Sequence, residues 1–140
     1  VGIGGVAGHG QRIFPGDDHG YFARLRLAHN VSAVTAACLV VEKRIFEAVG
    51  GFEEAGLPVG FNDVDFCLRV RELGYRNLFT PFAELYHHES ATRGGENTAA
   101  KRARADAEAR FMRERWGDLL DRDPAYNPNL TLTHEDFSLR

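Results

Sequence analysis

Eleven consecutive residues, Val31 to Val41, read Val-Ser-Ala-Val-Thr-Ala-Ala-Cys-Leu-Val-Val and carry no charged side chain. A run so rich in β-branched and small residues predicts a buried strand, or a strand followed by a turn, and so commits the fold to a core that contains sheet. With 140 residues the chain has the size of one such core. The segments around the run alternate in period. Ile45, Phe46 and Val49 recur at helical spacing across Glu42 to Val49, and Gly50-Gly51 ends that helix as a left-handed cap. Phe52 to Phe61 holds Gly56, Pro58 and Gly60 and reads as loop. Asn62 then stands as the N-cap of a helix whose apolar face is Val64, Cys67, Leu68 and Arg71, closed by Gly74. Tyr75 to Thr80 and Ala83 to His88 read as two short strands around Pro81. Glu96 to Trp116 is the longest expected helix, with Ala100, Ala103, Ala107, Phe111 and Trp116 on one face.

The two ends are less periodic. Residues 1 to 20 hold Gly2, Gly4, Gly5, Gly8, Gly10, Gly16 and Gly20 and read as loop. They lack the Lys-Ser/Thr of a phosphate-binding loop and the following helix of a dinucleotide fingerprint. Tyr21 to His29 predicts a short helix. Residues 118–140, with Pro124 and Asn127-Pro128-Asn129, predict an irregular tail on the surface or on a partner. The opening Val1 to Gly10, without an initiator Met, reads as cut from something longer.

Seventeen basic and 20 acidic side chains give a net charge of -3, spread along the chain, so no field of one sign marks nucleic acid or anionic lipid as a partner. Neither a transmembrane segment nor a signal peptide is legible, and the expected setting is cytoplasmic, with peripheral association at the inner face of the membrane allowed. Cys38 and Cys67 lie far apart in apolar surroundings and are expected to be buried free thiols.

Three clusters carry chemistry. Asp63 and Asp65 fall in the first turn of the helix that Gly74 closes, where carboxylates suit the helix dipole; Asp63, at the junction of loop and helix, is placed to serve as a general base. His87 and His88 follow a strand and so point to opposite faces, and His87 suits a divalent ion within a mixed oxygen and nitrogen shell. Arg93, beside Gly94-Gly95, suits the charge of a departing diphosphate.

In order and spacing, Ala36 to Val41, Phe46 through Gly50-Gly51-Phe52-Glu53-Glu54, Asn62-Asp63-Val64-Asp65-Phe66-Cys67-Leu68-Arg69, Gly74-Tyr75-Arg76 and Pro81 to His88 resemble the carboxyl-terminal half of family 2 glycosyltransferases. Looser similarity to rhamnosyltransferase-like bacterial members covers most of the rest, including Trp116-Gly117-Asp118. The resemblance implies an α/β chain forming part of a GT-A fold, a mixed sheet flanked by helices, with residues 1–140 as the acceptor-side part and the nucleotide-binding half absent. It implies Asp63 as the base that activates an acceptor hydroxyl, Asp65 as its support, His87 as a ligand of Mn or Mg with His88 as second choice, and Arg93 near the nucleotide diphosphate. Asn62 departs from the acid usual in the family. The intact parent would move a sugar from a nucleotide-sugar donor to a glycan or lipid-linked acceptor with inversion, in cell-surface polysaccharide synthesis; the fragment alone would hold no metal and turn over nothing. Two other readings stand beside this one. One is a small metal-dependent hydrolase with Asp63, Asp65, His87, His88 and Glu89 around the ion. The other is a non-catalytic module that forms a homo-dimer through an exposed sheet edge.

Overall fold

The computed structural model describes residues 1–11, 14–88 and 98–140. Its regular elements, in chain order, are β1 (His29–Val31), α1 (Lys43–Ala48), α2 (Asn62–Glu72), β2 (Asn77–Phe79) and α3 (Ala99–Asp121), with 3-10 turns at Ile3–Gly5, Tyr21–Ala23 and Ala36–Cys38. β1 and β2 pair antiparallel, with His29 opposite Phe79 and Val31 opposite Asn77. The molecule is a small arrangement of helices with strands, and among the described residues the expected mixed sheet is a two-stranded antiparallel ribbon. Asn77 fastens that ribbon to the helical part, because its side-chain amide donates to the Ser32 carbonyl (2.8 Å) and to the Cys67 carbonyl of α2 (3.0 Å).

α2 lies between two apolar clusters. On one side Phe66, Cys67 and Val70 pack with Ile45 of α1, and the rings of Phe46, Phe52 and Phe66 meet at centroid distances of 5.2 to 5.5 Å. On the other, Leu68 joins Val6, Leu57, Met112, Trp116 and Leu120. Fully burying side chains of this size contributes roughly 1.5 to 3 kcal/mol each, which is why these clusters set the helix orientations.

Several expectations change for identifiable reasons. The buried residues of α3 are Glu108, Met112, Trp116 and Leu120, at steps of four, while Ala100, Ala103 and Ala107 are exposed. Large side chains gain far more from burial than alanine, so they choose the face. α2 begins at Asn62 as its first helical residue rather than its cap. Phe61 precedes it in the left-handed region (φ 59°), with no side-chain cap. The apolar run leaves β1 at Val31 and turns, with Thr35 Oγ1 accepting from the Ala37 amide; Ala36 to Cys38 are exposed, and Val40 is 97% exposed. Composition signalled a surface suited to burial, but the ribbon offers pairing only across three residues on each strand. For the same reason Ala83 to His88 is no strand but an exposed irregular segment, with Tyr86 96% exposed. Cys38 is therefore exposed, against expectation, whereas Cys67 is buried. Tyr21 to His29 yields only one 3-10 turn.

Residues beyond α3 are irregular yet packed. Leu130 is buried and bridges to Leu139, the Gly4 amide donates to the Leu132 carbonyl (2.8 Å), and the Gln11 amide donates to the Glu135 carbonyl (2.8 Å). Gly2 makes that closure possible: at φ +88° a Cβ there would run into the Leu120 carbonyl oxygen. No helix among the described residues is long and apolar enough to cross a membrane.

Candidate functional site

The junction at the start of α2 is built from the loop 53–61 and clamped by α3. Glu108, buried in α3, accepts at Oε1 from the backbone amides of Val59 (2.8 Å) and Gly60 (3.0 Å). A buried carboxylate needs such partners, and here they are the loop's own amides. Glu53 turns the loop at its other end, accepting from the Ala55 and Gly56 amides (both 3.0 Å). Those amides, Gly56 first, hold its carboxyl below the ordinary range. Gly56 lies against the Phe111 ring so closely that any Cβ would collide with it.

Asp65 is fully buried, and both of its carboxylate oxygens are engaged. Its Oδ2 accepts from Arg69 Nε (2.8 Å), its Oδ1 accepts from the indole Nε1–H of Trp116 (2.9 Å), and Arg115 Nη1 lies 3.3 Å from Oδ1. Arg69 carries the connection onward, donating to the Gly51 carbonyl (2.7 Å) and to that of Val49. One carboxylate thus joins α2, α3 and the turn after α1. With both oxygens engaged and the side chain 0% exposed, Asp65 presents no free oxygen at the surface. The hydrolase reading required it as a metal ligand, so that reading loses a member of its shell.

Asp63, two residues earlier, is half-buried. Its Oδ2 accepts from the Ala36 amide (3.0 Å) in the 3-10 turn after β1, and its Oδ1 accepts from the Val64 amide (2.8 Å). A carboxylate offers about four acceptor positions, so two backbone bonds fix its orientation and leave capacity for a hydroxyl proton. The surroundings are therefore those of an oriented and reachable carboxylate. Cys67 sits beneath it, its thiol held against the Val34 backbone and pushed up to about 11 by burial.

His87 and His88 lie in the exposed segment after β2. Among the described residues no three His, Cys, Asp or Glu side chains group closely enough to hold a metal ion, so the histidines find no further ligands there. Arg93 and Glu89 lie outside the described residues. Two cavities of the described residues are lined by neither Asp63 nor His87: an open groove between α2 and α3, and a smaller cleft between the opening loop and the tail.

Sequence reasoning missed Glu108 and the Asp65 to Trp116 link. A signal for Glu108 was present, because it continues the four-residue series of Met112, Trp116 and Leu120, and a lone carboxylate on an apolar stripe must be paired.

No protein-family model matches the chain, and no solved structure matches it significantly. It is 58% identical over 139 residues, 99% of its length, to y4gI of Sinorhizobium fredii, a protein of uncharacterised function of which it spans 15%. It is 37% identical over 141 aligned positions to the O-antigen biosynthesis protein RfbC of Myxococcus xanthus, spanning 11% of it. Over 64 residues, 46% of the chain, it is 33% identical to an N-acetylglucosaminyl-diphospho-decaprenol L-rhamnosyltransferase of Mycobacterium tuberculosis, a match covering 20% of that enzyme. The chain is thus related to proteins named for O-antigen biosynthesis and rhamnosyl transfer, and it spans a small fraction of the curated relatives it matches over its full length.

Proposed function

We propose that the 140 residues are the acceptor-side part of an inverting glycosyltransferase of family 2 with a GT-A fold, acting in polysaccharide synthesis. The observation that carries the reading is Asp63: a half-exposed carboxylate, oriented by the Ala36 and Val64 amides, at a loop-to-helix junction that Glu108 and Asp65 hold rigid. The relatives' names, rhamnosyl transfer and O-antigen biosynthesis, support the class.

In this reading Asp63 takes the proton of an acceptor hydroxyl as its oxygen bonds to the anomeric carbon of a nucleotide-sugar donor. The nucleoside diphosphate departs from the opposite face, and the configuration inverts because one displacement occurs. Holding the base in place before the acceptor arrives contributes by orientation, which is the purpose of the clamps around it. The nucleotide-binding groups and the carboxylates for a divalent cation are assigned to protein outside these residues; His87, with His88 as second choice, is proposed as a ligand from this chain, and Arg93 as a partner of the diphosphate. No step attributed to Asp63 runs through the cation.

The test is Asp63→Asn in the longer protein that carries this sequence. Transfer to the acceptor should fall at least 100-fold, within the roughly 10² to 10⁴ that a general base contributes, while donor affinity stays within twofold. Retained transfer removes Asp63 from the mechanism.

A further inference from the structure

The segment that begins in β2 and runs past it leaves its apolar side chains uncovered. Within nine residues Leu78 is 57% exposed, Phe82 88%, Leu85 69% and Tyr86 96%. One exposed leucine calls for no explanation, but four large apolar side chains in so short a stretch form a patch, and such patches mark contact surfaces. The rings of Phe82 and Tyr86 bring roughly 300–450 Å² to any surface that covers them, and the two leucines extend it. A standard interface takes roughly 800 Å² from each partner, so this one segment supplies the apolar centre that such an interface needs.

The backbone is as open as the side chains. Ala83 to His88 has the composition of a strand, yet among the described residues none of its members makes a hydrogen bond. A strand edge left in water is normally guarded by lysine, or by proline within the strand. Here Asn77 to His88 contains neither Lys nor Arg, and Pro81 stands before the stretch rather than inside it.

The order of residues selects the partner. When a strand pairs antiparallel with its own copy about a two-fold axis, the residue on the axis stands opposite itself and its neighbours exchange partners. Centred on Tyr86, that register sets the two Tyr86 rings against each other. It also places Glu84 opposite His88 of the second copy, twice, so that each carboxylate meets an imidazole able to donate to it. On the other face Leu85 lies against the His87 ring of the copy. Aromatic pairs and complementary polar pairs are the cross-strand combinations that stabilise a sheet. Centring on Glu84 would oppose two carboxylates, and centring on Leu85 would set Glu84 against Tyr86.

We infer that residues 84–88 pair with the same residues of a second copy of this chain, closing a two-fold dimer with Tyr86 on its axis and with Phe82 and Leu78 in the flanking apolar contact. The inference goes beyond the transferase reading and does not depend on it.

Sedimentation equilibrium of the 140-residue chain over a thousandfold range of concentration tests it, with a reductant present so that the exposed Cys38 cannot cross-link copies. The mass should rise from that of one chain, 15.6 kDa, to twice that value and stop there, because a two-fold pair closes. Tyr86→Asp, which sets two carboxylates at the axis, should raise the dissociation constant at least tenfold and leave the fluorescence of the buried Trp116 unchanged. Glu84→Lys and His88→Glu should each weaken the dimer, and the two together should restore it, because the pair then reverses its sign. A monomer at every concentration overturns the proposal and leaves the segment to a different sheet edge. Growth beyond two chains, a dimer indifferent to Tyr86→Asp, or a double variant as weak as the single ones overturns it as well.

Discussion

Replacing Asp65 with alanine removes one acceptor that three donors share. Trp116 loses the partner of its indole N–H inside the core, Arg69 keeps the carbonyls of Val49 and Gly51 but loses its counter-ion, and Arg115 loses one of its two carboxylates. The Asp65 side chain is 0% exposed and that of Arg69 only 12%, so water cannot replace the lost contacts. Breaking a buried ion pair by deleting one member costs about 3–5 kcal/mol, of which the stranded indole donor accounts for about 1–3 kcal/mol. Against a typical domain stability of about 5–15 kcal/mol this is a large share. Asp65→Asn keeps an oxygen for the indole while losing the charge, and should cost less than alanine, about 2–3 kcal/mol. Urea unfolding of the 140-residue chain measures both, and the single tryptophan, Trp116, reports directly from the site. A loss below about 1 kcal/mol in Asp65→Ala would refute the assignment of Asp65 as the hub that joins α2 to α3.

Glu108→Ala should expose the Val59 and Gly60 amides to faster hydrogen exchange and destabilise the chain by about 2–4 kcal/mol, since two buried donors lose their acceptor; unchanged protection at those two amides would count against the clamp. Gly56→Val forces a side chain into the Phe111 ring and should cost about 1–3 kcal/mol, read as a lowered urea midpoint. An aromatic disulfide reagent at pH 8 should label Cys38 rapidly and Cys67 only after denaturation; two fast thiols would contradict the burial of Cys67. Because the folded chain keeps the Cys67 proton up to about 11 while the unfolded thiol ionises from 9.0, its contribution to stability is full below pH 9 and is lost as pH rises from there through about 11. Cys67→Ala should flatten the decline of stability over that window.

The helices around Asp63 were legible because their signals are local. Ile45 and Val49 before Gly50-Gly51, and Val64, Cys67 and Leu68 before Gly74, repeat at helical spacing and end on residues with positive φ, and both helices form there, although Phe66 and Val70 rather than Arg71 complete the buried face of α2. What escaped was decided across the chain. Asn62 looked like a cap because the sequence does not show that Phe61 takes the left-handed region and starts the helix one residue earlier, with the Asp65 amide donating to the Phe61 carbonyl (2.9 Å). Val31 to Val41 reads as an interior strand from composition, yet a strand requires a neighbour, and β2 supplies one only as far as Val31. Asp63 and Asp65 share the first turn of α2, and what the sequence does not show is how far their surroundings diverge: one faces a turn at Ala36 and the other an indole on α3.

The meeting of the opening loop with the tail, where Gly4 bonds to Leu132, brings the first and last parts of the chain to one spot on the surface. Because each segment is held by the other, pulling either away breaks the same bonds, so the opening loop and the tail should lose their order in one step rather than one after the other.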